Sequence, residues 1–184
     1  FNSNQVVCYN NAPTTFTENV ASIGSSYLQW KWQKSTDNAA WVTISGATNA
    51  SYTSGTQTQT TYFRRLSTTV VGTTTCATDT IGDTITVTVL NPSAGSISGG
   101  EDICVGDNPS PILNASFGSA GGAYKWYTAV NFNNPVWVQI PGATDSSYDP
   151  PTGLTQTTYY KRETTLISLG KTCAASTNSV TINV

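Results

Sequence analysis

The sequence predicts an all-β protein built from two tandem antiparallel β-sandwich domains, and three observations lead to this prediction. Strand-forming residues alternate in short runs, one long pattern occurs twice, and charged residues make up only 10% of the 184 residues. Thr, Val, Ile, Tyr and Trp favour pleated strands, whereas the 15 Gly and 8 Pro interrupt them. We find no segment with the caps and periodicity of an amphipathic helix.

The repeated pattern defines the domains. The stretch "ISGATNASYTSGTQTQTTYFRR" returns as "IPGATDSSYDPPTGLTQTTYYKR" at an offset of 96 residues, which becomes 97 after one inserted residue near Gly153. A period this long corresponds to a whole domain rather than to a solenoid unit of about 20 to 50 residues. We therefore predict domains over 1–91 and 92–184, with a truncated first strand in the first domain. The turn-forming stretch "NPSAGSISGG" marks the junction.

Runs of alternating apolar and polar residues predict the strands of each domain in order. In the first domain they are "VVC", "YLQWKW", "AWVTI", "TTYFRRL" and "DTITVTVL". In the second they are "DIC", "AYKWY", "VWVQI", "TTYYKRE" and "SVTINV". Six or seven short strands in about 90 residues are typical of an immunoglobulin-like sandwich.

Large side chains at repeated positions are the candidates for the core. Trp126 is expected beneath the sheets of the second domain, and its counterpart in the first is Trp30 or Trp32. These two are separated by one residue and so point to the same face of a strand. Tyr62 and Tyr159 are expected to act as corner tyrosines whose hydroxyls hold a loop backbone. The repetition therefore indicates a reused scaffold rather than a reused active site.

Each domain carries two cysteines at matching places. Cys8 and Cys76 are 68 residues apart, and Cys104 and Cys173 are 69 apart. Sequence alone allows three pairings, but the repeat favours two intradomain disulfides, Cys8–Cys76 and Cys104–Cys173. A four-cysteine zinc site would need closely spaced pairs, which are absent, and free buried thiols are the other alternative. Disulfides would imply an oxidising, extracellular or cell-surface location.

The order of these features resembles the immunoglobulin-like repeats of very large secreted surface proteins of Bacteroidota. The resemblance rests on "ICVGDNPS", a strand with Trp, "GAT…SY", "TTYYKR", and a final Cys followed by "NSVTINV". The family includes the gliding-motility adhesins exported by the type IX system. Its hairpin resembles "WQKSTDN" and favours Trp32, whereas the ungapped offset favours Trp30. The resemblance implies a structural or adhesive repeat at the bacterial cell surface, with neighbouring repeats and surface polysaccharide as partners.

Several classes of function find no support in the sequence. The chain has no His, so Ser–His–Asp and Cys–His catalytic arrangements are impossible. None of its ten carboxylates forms a pair that recurs between the domains. A net charge of −2 with eight Lys and Arg gives no electrostatic footprint for nucleic acid, and no apolar run is long enough for a membrane span. We therefore expect no enzymatic activity, no cofactor and no metal site.

Weaker signals suggest modification or ligand binding. Asp-Thr-aliphatic tripeptides place candidate O-glycosylation sites at Thr80 and Thr84. Carboxylates near the junction raise the question of calcium, although no ligand motif is present. The alternative function is a carbohydrate-binding or spacer module of a secreted multidomain enzyme, with exposed aromatic rings stacking on sugars. The residues concerned are Glu101, Asp102 and Asp107 for calcium, and Tyr27, Tyr127 and Phe132 for sugar stacking.

Overall fold

The computed structural model describes residues 3–17, 28–71, 73–75, 80–81, 83–131 and 133–184. Its chain divides into two compact units, Phe1–Leu90 and Asn91–Val184. The described residues form fifteen strands and no helix, so these ranges contain no helix that could cross a membrane. Each unit is an immunoglobulin-like β-sandwich, which confirms the all-β prediction. We refer to the units as the first and second repeats.

The main sheet of the first repeat has β4 at its centre. The sheet order is β1-β7-β4-β2-β3, and β5 and β6 also pair with β4. Facing this sheet, Phe16 and Tyr52 exchange backbone hydrogen bonds as an isolated bridge. The strands are β1 (Gln5–Cys8), β2 (Leu28–Ser35), β3 (Val42–Thr43), β4 (Thr61–Val71), β5 (Thr74–Thr75), β6 (Thr80–Ile81) and β7 (Ile85–Leu90).

The second repeat has the same plan around β13. Its main sheet has the order β12-β11-β13-β15-β9, with β14 also paired to β13, and β8 and β10 form a separate two-stranded sheet. The strands are β8 (Ser96–Ser98), β9 (Glu101–Asp102), β10 (Leu113–Ser116), β11 (Ala123–Ala129), β12 (Val138–Gln139), β13 (Thr158–Ser168), β14 (Lys171–Ser176) and β15 (Val180–Asn183).

One pairing in each repeat departs from the predicted antiparallel pattern. β1 runs parallel to β7, and β9 runs parallel to β15. In both cases the strand that ends at, or just before, the first cysteine lies beside the last strand of its own repeat. This parallel pairing places Cys8 opposite Leu90, at the end of the last strand.

The two cores are built around equivalent tryptophans. Trp32 and Trp126 are both 0% exposed. The indole of Trp32 donates to the Asn49 carbonyl at 2.9 Å, and the indole of Trp126 donates to the Asp145 carbonyl at 2.9 Å. Trp32 is therefore the counterpart of Trp126, as the resemblance to the family hairpin predicted.

Trp30 was the other candidate for the core, and that prediction is wrong. Trp30 is half-buried and lies one step further along the same face, beneath the Arg65 guanidinium at 5.5 Å from the ring centroid. The equivalent place in the second repeat is held by Tyr124 beneath Arg162, at 4.3 Å. The ungapped offset pointed to Trp30 because the hairpin after β11 is two residues longer than the hairpin after β2.

Tyr62 and Tyr159 are also misassigned as core residues. Both are half-buried and belong to the strand face that alternates away from the core. The core positions are the next residues, Phe63 at 1% and Tyr160 at 2% exposure. Each repeat has two adjacent aromatic residues here, in "TYF" and in "TYY", so alternation alone did not show which strand face packs into the core.

A third core position was not identified from the sequence. Phe16 is fully buried and packs against Trp32, Phe63 and Tyr52, with ring centroids 5.9, 4.9 and 6.2 Å away. Its counterpart in the second repeat is Ile112, which bridges to Tyr148. Phe16 follows "APTT" and Ile112 follows "NPSP", stretches without alternation, so periodicity gave no signal there.

The buried phenol of Tyr160 is expected to make the second repeat sensitive to alkaline pH. Burial, and secondarily the neighbouring Tyr148, raise the pKa of Tyr160 from the ordinary 10.0 to about 12, although a hydrogen bond with Thr128 partly opposes this. Because the folded state favours the neutral phenol, its stabilisation is complete below about pH 10 and is lost as pH rises towards about 12. We expect the melting temperature of the wild type to fall as the pH rises through this interval. The melting temperature of Tyr160→Phe should fall less.

The first repeat already carries Phe63 at this position, so the substitution keeps a side chain that the fold accepts. Tyr159→Phe, on the other face of β13, is the matched control and should retain the full alkaline fall. Thermal unfolding followed by circular dichroism at several pH values measures both variants. If Tyr160→Phe and the wild type lose stability identically, the buried phenol is not responsible.

Candidate functional site

A cleft opens at the same edge of both sandwiches, between the β2–β3 or β11–β12 hairpin and the segment that leads into β4 or β13. We call it the edge cleft. Its volume is about 530 Å³ in the first repeat and about 490 Å³ in the second. Both values lie in the range of small-molecule sites. Positions that line it in both repeats include Val42 and Val138, Tyr52 and Tyr148, Gln59 and Gln156, Thr61 and Thr158, and Phe63 and Tyr160.

The edge cleft of the first repeat is polar at its rim. Lys34, Asp37, Gln57 and Gln59 contribute charges and amides. The Asp37 carboxylate accepts hydrogen bonds from the backbone N–H groups of Ala39 and Ala40, both at 2.8 Å. These bonds, together with one from the Ser35 hydroxyl, lower the pKa of Asp37 from 3.8 to about 2. The carboxylate therefore fixes the hairpin turn rather than serving as a proton donor or acceptor near neutral pH.

The edge cleft of the second repeat is mostly apolar. Val130, Ile140, Pro151 and Leu154 form much of its lining. Tyr148 contributes to its floor, and burial, followed by the nearby Asp149, raises the pKa of this phenol. The two clefts thus share a framework but offer different chemistry, hydrogen-bonding groups in one and aliphatic surface in the other.

The outer face of each sheet carries a cation stacked on a tryptophan. The Arg64 guanidinium lies 4.1 Å from the Trp41 ring centroid, and the Lys161 ammonium lies 4.6 Å from the Trp137 ring centroid. These positions are equivalent between the repeats. Such stacking contributes about 0.5 to 1 kcal/mol at exposed sites. The tryptophan ring and its cation form a partly apolar patch, in which the cation covers one face of the ring.

Tyr127 belongs to the same patch in the second repeat. Its ring centroid is 5.6 Å from the Lys161 ammonium, and its hydroxyl donates to the Glu163 carboxylate at 3.3 Å. Burial, followed by the charge of Glu163, raises the pKa of Tyr127. Tyr27 and Phe132, the other candidates for sugar stacking, lie outside the described residues.

A buried arginine occupies the centre of each repeat on the core side. Arg162 is 0% exposed, and burial lowers its pKa, while the neighbouring Tyr124 opposes this. Its guanidinium donates to four oxygens, none of them a carboxylate: Asn114 Oδ1 at 2.7 Å and the carbonyls of Ser146 at 2.6 Å, Ser116 at 3.1 Å and Ala94 at 3.2 Å. The sequence pattern assigned no role to Arg65 or Arg162. The signal available in the sequence was the Arg in the strand pattern "TTYYKR", at a position where alternation turns the side chain inward.

The carboxylates considered for calcium are each engaged separately. Glu101 accepts hydrogen bonds from the Ser110 backbone N–H and hydroxyl, and Asp107 accepts one from the Cys104 N–H at 3.1 Å. Asp102 accepts one from the Asn183 side chain at 2.6 Å. Within the described ranges, no group of three or more His, Cys, Asp or Glu residues could hold a metal ion.

One of the two predicted disulfides is contradicted, and the other lies partly outside the described residues. Cys104 is exposed and carries a free thiol, whereas Cys8 and Cys173 are each disulfide-bonded. The predicted Cys104–Cys173 bridge is therefore wrong. The partner predicted for Cys8 was Cys76, which lies outside the described residues. Of the proposed glycosylation sites, Thr84 is exposed and Thr80 begins β6.

Comparisons with known proteins show the family. A family model described as "Domain of unknown function (DUF8696)" matches residues 1–91 and again 93–184. No curated protein matches the chain. A solved structure described as "Sidekick-1 immunoglobulin domains 1-5" is similar at a TM-score of 0.41 and 12% identity, over 98% of this chain and 36% of the other. This chain thus spans about a third of the length of that structure.

Proposed function

We propose that this chain, which belongs to the DUF8696 family through both of its repeats, is a non-enzymatic structural and adhesive segment of a large bacterial cell-surface adhesin. One observation carries the proposal. The positions that hold the sandwich together keep the same residue and the same contacts in both repeats, such as Trp32 with Trp126 and Tyr52 with Tyr148. The charged side chains that line the first edge cleft, in contrast, do not recur in the second.

This distribution favours a scaffold role over a catalytic one. An enzyme that used its site twice would keep the reactive groups of the cleft and tolerate change in the framework. Here Lys34 and Asp37 of the first edge cleft have no charged counterparts in the second. A family of adhesive repeats needs a constant framework and gains from varied surfaces, since each repeat can then contact a different part of a polysaccharide or protein coat. Attachment to surfaces and gliding motility are the processes in which such a segment would act.

A second candidate function rests on the outer aromatic patch. Trp137 and Tyr127 flank Lys161 on one face of the sheet, and aromatic rings beside a polar group can bind sugar rings. This arrangement favours a carbohydrate-binding module attached to a secreted enzyme. The partly occupied ring faces argue against it, because a sugar would have to displace the lysine.

Antibody fragments raised against the purified chain test the adhesin proposal. On intact cells that make the parent protein, we expect labelling without permeabilisation and a lower number of cells attached to glass or polysaccharide. Fragments against an unrelated surface protein provide the control for steric blocking. Labelling that requires lysis, or attachment that is unchanged at saturating fragment, would contradict an adhesive role.

A glycan array distinguishes the carbohydrate-binding alternative. Selective binding by the isolated chain that disappears in Trp137→Ala but persists in Val136→Ala would favour that alternative over the structural repeat. Val136 is the matched control because it is 75% exposed and adjacent in sequence but is an aliphatic residue.

A further inference from the structure

Positive and negative side chains occupy different parts of each repeat. All eight Lys and Arg residues lie on strands of the two main sheets. Among the described carboxylates only Glu101, Asp102 and Glu163 lie on strands, and the others occupy turns and loops. Glu101 and Asp102 belong to β9, at the sheet edge opposite β12. The sheet around β4 and β13 is therefore locally positive, although the net charge of the chain is −2.

Arg64 is the outer cation of the first repeat, since the neighbouring Arg65 is buried on the core side. Its guanidinium is stacked on Trp41, and its Nε donates to the Gln33 side-chain oxygen at 2.8 Å. Within the described ranges, no hydrogen bond engages its two Nη atoms. A neutral amide and an aromatic ring thus hold the guanidinium in place, and its remaining N–H groups can pair with an anion such as a carboxylate.

Lys161 has the equivalent place in the second repeat. Its ammonium lies 4.6 Å from the Trp137 ring centroid and 5.6 Å from that of Tyr127. The nearby Glu163 is engaged elsewhere, because it accepts a hydrogen bond from the Tyr127 hydroxyl and lies opposite Lys125 in the strand pairing. In the part of the chain that the structure describes, Lys161 has no ion-pair partner. The rings position this cation without neutralising it.

We infer that the two outer cation–tryptophan pairs, Arg64 with Trp41 and Lys161 with Trp137, bind an acidic polysaccharide such as a polymer of uronic acid. The carboxylate of a sugar pairs with the cation, and the apolar face of the sugar ring contacts the aromatic surface beside it. Because stacking already holds the cation, little side-chain entropy is lost on binding. The inference rests on the proposed adhesive function and names the class of polysaccharide to which the segment would attach.

The arrangement favours acidic sugars over neutral ones. A neutral sugar gains nothing from the cation and has to displace it before it can stack on the covered ring face. An acidic sugar uses the cation where it lies. Each repeat contributes one such cation, so a single contact is weak, and a polymer that engages many repeats gains through multivalency.

Charge density argues for a polysaccharide rather than nucleic acid as the anion. DNA carries one charge about every 1.7 Å along its axis and binds to surfaces with many cations. Here one outer cation stands beside each tryptophan, and the loops carry carboxylates that would repel closely spaced phosphates. An acidic polysaccharide spaces its charges by whole sugar rings, and those rings offer the apolar faces that Trp41 and Trp137 can contact.

A matched pair of polymers tests the choice of ligand. The chain is immobilised on a biosensor and exposed to polygalacturonate or to the same polymer with all its carboxylates methyl-esterified. We expect binding of polygalacturonate that weakens as salt is added, and little binding of the ester. Equal binding of the two polymers would overturn the role of the cations. Double-stranded DNA that binds as strongly as polygalacturonate would overturn the choice of a polysaccharide.

Substitutions of single cations locate the site. Lys161→Gln and Arg64→Gln should each weaken polygalacturonate binding by about fivefold, the scale of one exposed ion pair. Lys161→Arg should retain binding. Lys171→Gln is the matched control, because it removes the same charge from an exposed position opposite Ser168, seven residues further along β13 than Lys161. If Lys171→Gln weakened binding as much as Lys161→Gln, the effect would be one of net charge, and the inference would be wrong.

The same variants separate this inference from the other proposals. In a carbohydrate-binding module that stacks neutral sugars, Lys161→Gln uncovers the Trp137 ring and should preserve or strengthen binding, the opposite of the loss expected here. Antibody fragments that block cell attachment, together with a chain that does not bind polygalacturonate, would leave the adhesive function standing and overturn the ligand. Polymer binding that follows the substitutions, with attachment unchanged by the fragments, would support the ligand and contradict adhesion.

Discussion

Replacing Trp126 with Ala is expected to lower the free energy of unfolding of the second repeat by about 3 to 5 kcal/mol. The indole is fully buried and lies 5.4 Å from the Tyr148 ring, in a cluster with Ile97, Ile112 and Ile182. Truncation leaves a cavity among these side chains and removes the donor that satisfies the Asp145 carbonyl. Urea unfolding followed by circular dichroism gives the change, and the folded baseline shows whether the variant retains its sheets.

Trp137→Ala is the matched control for this loss. Trp137 is half-buried on the outer face and has Lys161 as its stacking partner, so its removal should cost under about 1 kcal/mol. Trp32→Ala should reproduce the large effect in the first repeat, because Trp32 has the same burial and the same type of indole hydrogen bond. Similar losses for Trp126 and Trp137 would mean that the assignment of the core face is wrong.

The all-β class and the repeat were predictable because both depend on local or internal sequence signals. Alternation and strand propensity are local properties, and the offset of 96 residues compares the chain with itself. It was harder to predict which face of each central strand packs into the core. Phe63 and Tyr160 lie next to Tyr62 and Tyr159, and an aromatic residue suits either face of a strand. Only the packing against Phe16 or Ile112, which come from a distant stretch, distinguishes the two faces.

The prediction of a Cys104–Cys173 disulfide failed for a related reason. Matched spacings of 68 and 69 residues show that the positions are equivalent, but spacing along the sequence says nothing about which end of a sheet each position occupies. That depends on strand register. The parallel pairing of β9 with β15 carries Cys104 towards the start of β13, while the β13–β14 hairpin places Cys173 near the end of β13. Register is fixed by the packed sheet and cannot be read from the spacing of cysteines.

The largest effect that sequence analysis did not anticipate is expected at Arg162. Arg162→Met should destabilise the second repeat by about 3 to 5 kcal/mol, although methionine fills much of the space. The substitution leaves the oxygens of Asn114, Ser116 and Ser146 without the guanidinium donors that they have now, in hydrogen bonds that are partly buried. An acceptor that stays shielded from water without a partner costs about 1 to 3 kcal/mol. The stacking on Tyr124 is lost as well.

Arg162→Lys separates the charge from the geometry. A lysine keeps the positive charge but has a single nitrogen, which cannot reach oxygens on both sides of the planar guanidinium. We therefore expect Arg162→Lys to be nearly as destabilising as Arg162→Met. Lys161→Met, at the adjacent position on the outer face, is the control and should change the free energy of unfolding by less than about 1 kcal/mol. Urea unfolding measures all three. If Arg162→Lys retained wild-type stability, the buried cation would act through its charge, and the four-oxygen geometry would not be what holds this repeat together.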